Sequence, residues 1–158
     1  MLWFDKNAHG VVYSDRRVEP PGVDVKRPNF NVTPDVLHDF RVMPYQDAVF
    51  RLVVFDPPHK FKLSPRSHLG IRYGSLDPDV WQDIIREGFD ECWRVLKPGG
   101  TLVFKWAESS LKVREVLEVL PMSPMFGHTT GKTGGTKWML FYKPAELTDT
   151  SSSEPRSQ

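Results

Sequence analysis

The run Leu52-Val53-Val54-Phe55 is unbroken apolar sequence, ends in Asp56 and is stopped at once by Pro57-Pro58. Proline has no N–H to give a sheet ladder, so the strand must finish there. An apolar run without alternation is the pattern of a strand covered on both faces, as in layered α/β domains. Two further segments end in a carboxylate, Val11-Val12-Tyr13-Ser14-Asp15 and Asp35-Val36-Leu37-His38-Asp39. They are expected to be strands too, with their acidic ends facing one crevice.

Between residues 79 and 97 the apolar positions Val80, Trp81, Ile84, Ile85, Phe89, Cys92, Trp93 and Leu96 recur at helical spacing, behind Asp77-Pro78 as cap and first turn. Lys97-Pro98-Gly99-Gly100 punctuates the chain, and Thr101 to Trp106 reads as another strand. Strand, helix, turn and strand in that order make a βαβ crossover. A second helix is expected over 109–120, capped by Ser109-Ser110. Phe126 to Thr130 and Lys137 to Lys143 read as a hairpin around the turn from Gly131 to Gly135. Residues 1–144 then form one domain, and 145–158, rich in Ser, Thr, Glu and Pro, a disordered tail.

Charge narrows the functions. With 21 Lys and Arg against 20 Asp and Glu the net charge is +1, too little for a protein that coats nucleic acid through a generally basic surface. Any basic footprint must be local. The single cysteine, Cys92, falls on the apolar stripe of the first helix and reads as a buried thiol rather than a nucleophile. No Cys/His spacing suggests a metal site. No apolar run approaches the roughly 20 residues of a membrane span and no signal-peptide core opens the chain, so a cytoplasmic location without membrane contact is expected.

Ligands of open α/β sheets bind beyond the carboxyl ends of the strands, which puts Asp56 and its prolines at the functional edge. The two prolines fix φ and stiffen the turn. A rigid turn can present the Asp56 carboxylate and the Pro57 carbonyl as two acceptors toward one amino group. An exocyclic amine has its lone pair drawn into the ring; holding its protons on two acceptors favours a pyramidal nitrogen aimed at an electrophile. Neither a nucleophilic side chain nor a metal is needed.

Val53-Val54-Phe55-Asp56-Pro57-Pro58-His59 resembles the fourth motif of class I S-adenosylmethionine-dependent amino-methyltransferases. Asp39 to Phe50 is similar to the acidic strand end and following loop of that family, and Arg94 to Leu102 to its helix, proline-glycine turn and fifth strand. The resemblance covers residues 11–143. It implies an α/β fold of Rossmann-like, doubly wound type, with a mostly parallel sheet and a C-terminal antiparallel hairpin. It also implies S-adenosyl-L-methionine as cofactor and methyl transfer to an amino nitrogen, adenine N6 in DNA or RNA foremost. Asp56 and Pro57 would hold the amine and His59 would contact its ring. Asp15 and Asp39 would meet the cofactor with Phe40 and Phe55, unless each carboxylate simply caps a turn.

The chain departs from the family in two places. His59 stands where Tyr, Phe or Trp is usual, and the glycine-rich first strand and loop are missing. Met1-Leu2-Trp3-Phe4 could supply a short first strand; the alternative is a chain that begins inside a longer domain. A catalytically inactive or partner-completed module, with a protein partner or a second copy, is therefore a competing expectation. A third is a methyltransferase for a protein or small-molecule amine.

Residues 59–73 carry His59, Lys60, Lys62, Arg66, His68 and Arg72 with no acidic residue. Lys60, Lys62 and Arg66 are candidate phosphate clamps for a nucleic acid substrate whose base is flipped out; the alternative is a solvated loop. Gly127 to Thr133 imitates a phosphate-binding loop, but the glycine spacing is short by one residue and a strand rather than a helix follows, which argues against nucleotide hydrolysis. Lys132 and Lys137 in that hairpin remain candidate substrate contacts. His9, His38 and His68 lack metal spacing, and Trp106 and Trp138 read as core.

Overall fold

The computed structural model describes residues 5, 7–128 and 135–145. It is a mixed α/β fold with two sheets. A two-stranded parallel sheet pairs β1, Ser14–Asp15, with β2, Val36–Leu37. A four-stranded sheet has the order β3-β4-β6-β5, built from β3, Phe50–Phe55, β4, Leu96–Ala107, β5, Phe126–Gly127, and β6, Thr136–Tyr142. The helices are α1, His68–Tyr73, α2, Trp81–Val95, and α3, Val113–Glu118.

The expected βαβ unit is present: β3 runs parallel to β4 across α2. The expected hairpin is present too, with β6 antiparallel to both β4 and β5. The sheet is therefore mixed rather than mostly parallel. Residues 129–134, which include most of the expected hairpin turn and Lys132, lie outside the described residues, as do Met1 to Phe4 and 146–158 of the expected tail.

Several boundaries move for identifiable reasons. Leu96 already pairs with Phe50, and Lys97 to Gly100 form a bulge inside β4 before pairing resumes at Leu52 and Thr101. Gly99 makes this possible with φ of 77°, and its N–H donates to the Lys143 carbonyl. Asp77 does not cap α2 directly; its Oδ1 accepts the Asp79 N–H in a turn just upstream, and the helix begins at Trp81. The C-terminus of α2 is better secured. Its Arg94 and Val95 carbonyls accept the Ala48 and Val49 N–H groups, and Lys143 Nζ donates to the Trp93 and Leu96 carbonyls. The second helix starts at Val113, because the Ser109 and Ser110 hydroxyls are engaged across the chain with His59 and Phe61; Glu115 instead accepts the Lys112 N–H.

One face of the four-stranded sheet carries the core. Leu102, Phe104 and Trp106 of β4 and Met139 and Phe141 of β6 alternate inward and meet Ile85, Phe89 and Cys92 of α2 and Val116 of α3. Gly88 lets two more rings into this layer. A β-carbon there would stand 2.5 Å from Phe40 and 2.8 Å from Phe55, whose rings meet edge to face at 5.2 Å. Gly88→Ala is expected to destabilise the fold by about 1–3 kcal/mol through overpacking, against the roughly 1 kcal/mol that alanine gains in helix propensity. Urea unfolding of the two proteins checks it; an equal or more stable variant contradicts the packing.

The opposite face differs. Leu52 pairs with Thr101 and Phe126 with Leu140, which places them on the side away from the core, where they are 54% and 61% exposed. Tyr142 joins them at 41%.

Candidate functional site

Asp56 follows the last residue of β3, and its side chain is 34% exposed. Its carboxylate receives Lys105 Nζ on both oxygens, at 3.0 Å and 2.8 Å. Lys105 stands in β4 between the fully buried Phe104 and Trp106, so alternation directs it to the open face. It was not among the sequence candidates. The signal available for it was a lone cation between core positions of a strand, which reads by itself as ordinary solvent-face alternation.

The turn after Asp56 is fastened on its far side. Pro57 is buried, the Ser109 hydroxyl donates to the His59 carbonyl at 2.8 Å, and the Phe61 N–H donates to Ser110 Oγ at 3.3 Å. His59 is 9% exposed, with its ring 5.7 Å from Tyr73 and 6.3 Å from Trp106. Burial holds its pKa below the ordinary value, against the opposing pull of Asp56 and with Lys105 and Lys60 acting in the same direction as burial. His59 is thus a wall of the turn rather than an open stacking surface.

The basic stretch separates into two groups. Arg72 is committed to Asp24, whose side chain is fully buried and also accepts the Lys26 N–H. Burial alone would raise the Asp24 pKa, but the Arg72 guanidinium and the Lys26 N–H outweigh it and hold the group below its ordinary value. Ion pairs among the described residues use none of Lys60, Lys62 and Arg66, and Lys62 and Arg66 are exposed. These cations remain available for an anionic ligand. Lys62 also borders an open hollow of about 450 Å³ with Ser75, Leu76, Asp77, Pro78 and Asp79; Asp56 does not line it.

Asp15 and Asp39 are built alike. Asp15 ends β1 and Asp39 lies two residues beyond β2, and each grips the arginine two residues on. Asp15 Oδ1 accepts the Arg17 N–H and Nε, and Asp39 Oδ1 accepts the Arg41 N–H and Nε, while Oδ2 of each accepts Nη2 at 2.9 Å. The turn-cap alternative is therefore realised in both. Both side chains keep more than a quarter of their surface exposed, at 28% and 29%, and an ionised carboxylate has lone pairs beyond those used here. Phe40 connects this region to Asp56 through Phe55, whose ring stacks on Phe104 and is 4% exposed. Phe55 is committed to the core, whereas Phe40 is only partly buried and can offer a ring face.

The Arg41 side chain beside Asp39 lowers the carboxyl pKa from 3.8 to about 2, against the opposing effect of burial. A carboxylate depressed on folding stabilises the fold fully above its unfolded pKa, and that contribution is lost as pH falls through the folded value. Asp39→Asn is therefore expected to flatten the dependence of unfolding free energy on pH between about 4 and 2, measured by urea titration at a series of pH values. An unchanged slope in that window contradicts the pairing.

Among the described residues no group of His, Cys, Asp and Glu could hold a metal ion, and no helix is long and apolar enough to cross a membrane. No family model matches the chain, and neither a curated protein nor a solved structure matches it significantly.

Proposed function

We propose that this chain is a Rossmann-like, S-adenosylmethionine-dependent methyltransferase domain that acts on an amino nitrogen, with adenine N6 in DNA or RNA as the acceptor. The observation that carries the reading is a carboxylate at the carboxyl end of a βαβ strand, partly exposed, paired with Lys105 and held on a proline-stiffened, side-chain-fastened turn; the Lys60, Lys62 and Arg66 that follow it in sequence enter no ion pair among the described residues. When bound, S-adenosylmethionine supplies an electrophilic methyl group on a sulfonium sulfur.

The residues of the chain bind and orient around that group. Asp15 accepts ribose hydroxyls, and Asp39 and Phe40 border the adenine. Asp56 and the Pro57 carbonyl accept the two N–H bonds of the target amine, and Asp56 is placed to take the proton the nitrogen sheds. His59, buried beside Tyr73 and Trp106, walls the turn. Lys60, Lys62 and Arg66 hold phosphates, so that affinity for the polyanion falls with salt. Isothermal titration with S-adenosylmethionine and S-adenosylhomocysteine tests the cofactor site: micromolar binding, weakened in Asp39→Ala, supports it, and no binding by a folded sample overturns it.

A second reading, a methyltransferase-like module completed by a partner chain or a second copy, is favoured by the apolar open face with Leu52, Phe126 and Tyr142. Sedimentation equilibrium across a range of concentrations separates self-association from a monomer that awaits another protein.

A further inference from the structure

The pair formed by Asp56 and Lys105 is more than a neutralised carboxylate. Lys105 Nζ lies within hydrogen-bond distance of both Asp56 oxygens, at 3.0 Å and 2.8 Å, and an ammonium group has three protons. Two go to the carboxylate. The third has no partner among the described residues, and both side chains keep solvent-facing surface, 18% for Lys105 and 34% for Asp56. A carboxylate accepts from about four directions, so Asp56 retains lone pairs beside the ammonium. One open edge therefore offers an acceptor and a donor side by side.

We propose that Lys105 is a specificity-determining residue that donates to the ring nitrogen adjacent to the target amine, so that the site selects heteroaromatic amines carrying the N–H and ring-N pair of an amidine edge. Adenine (N6 and N1) and cytosine (N4 and N3) present that pair. A simple alkyl amine has a donor and no neighbouring acceptor, and guanine places a ring N–H where the acceptor is required on the Watson–Crick side. The inference rests on the proposed role of Asp56 as amine acceptor and adds to it which acceptors qualify. It also gives Lys105 a reason to be a cation on an otherwise apolar stretch of strand, where Phe104 and Trp106 fix the backbone register and Trp138 stands opposite on β6.

The test is fluorescence anisotropy with single-stranded oligothymidylate carrying one adenine, one 1-deazaadenine, in which the ring nitrogen is replaced by C–H, or neither. The unmodified chain is expected to bind the adenine strand about tenfold more tightly than the deaza strand, the scale of one charge-assisted hydrogen bond at a partly exposed site. Lys105→Met, checked for an unchanged unfolding midpoint, brings adenine down to the deaza level and leaves deaza binding where it was. Equal binding of the two strands by the unmodified chain, which needs no variant, overturns the inference, as does discrimination retained in Lys105→Met. Methyl transfer measured on the same strands separates the two layers. Transfer without discrimination sinks the role of Lys105 alone, whereas discrimination without transfer sinks the methyltransferase reading and leaves base recognition in place.

Discussion

Phe89→Ala lowers the unfolding free energy by about 3–5 kcal/mol, the cost of emptying a well-packed aromatic site. Phe89 has no exposed surface and is the point at which α2 is pinned to the sheet: its ring meets Phe141 edge to face at 4.9 Å and stacks with Trp93 at 6.0 Å. A domain of ordinary stability has about 5–15 kcal/mol in total, so the variant sits near the threshold of folding. The effect reaches the site as well. α2 carries Gly88, on which Phe40 and Phe55 close, and Phe55 immediately precedes Asp56. Phe89→Leu, which keeps most of the volume, is expected to cost less than about 1.5 kcal/mol. Denaturant unfolding measures both, and equal losses in the two variants contradict the cavity explanation.

On the proposed methyltransferase reading, Asp56→Ala is expected to reduce methyl transfer by about 10²–10³-fold, the scale on which removing one preorganised hydrogen-bonding group acts on a reaction in which charge develops. The loss is expected in the catalytic rate more than in phosphate-driven substrate affinity, because the proposed reading puts Lys60, Lys62 and Arg66 on the polyanion and Asp56 on the amine. Since Asp56 is a solvent-facing group at a strand end, the variant keeps its fold, and circular dichroism melting verifies that the lost rate is not lost structure. A variant with undiminished transfer removes Asp56 from the chemistry.

The elements that the sequence made readable are those whose local pattern and tertiary packing agree. The apolar spacing located α2 because Trp81, Ile85, Phe89 and Cys92 of that stripe are buried in the core, although Val80 is exposed and Leu96 already belongs to β4; the Cys92 thiol pKa is pushed up by burial. Leu52 to Asp56 located β3, although the strand is less covered than an unbroken apolar run suggests, since Leu52 is more than half exposed. The segments around Asp15 and Asp39 were legible as strands, but they pair with each other in a separate two-stranded sheet over only two residues each, and D-x-R turns follow both.

What stayed hidden depends on partners distant in sequence. Lys97-Pro98-Gly99-Gly100 looks like a break until Lys143 is seen pairing across it. Ser109 and Ser110 look like helix caps until His59 and Phe61 compete for their hydroxyls. Arg72 looks like one of a row of phosphate clamps until buried Asp24 is placed against it, and Lys105 like a surface lysine until Asp56 is. Asp56 itself was legible, because a carboxylate before two prolines at a strand end is a local feature.

Transfer of a labelled methyl group from S-adenosylmethionine to single-stranded and duplex DNA and RNA, followed by digestion and mass spectrometry of the nucleosides, examines the proposed chemistry most directly. Label recovered as N6-methyladenine, and abolished by Asp56→Ala, is the predicted result. A folded chain that binds the cofactor yet leaves every exocyclic amine unlabelled contradicts the role given to Asp56, Pro57 and their turn.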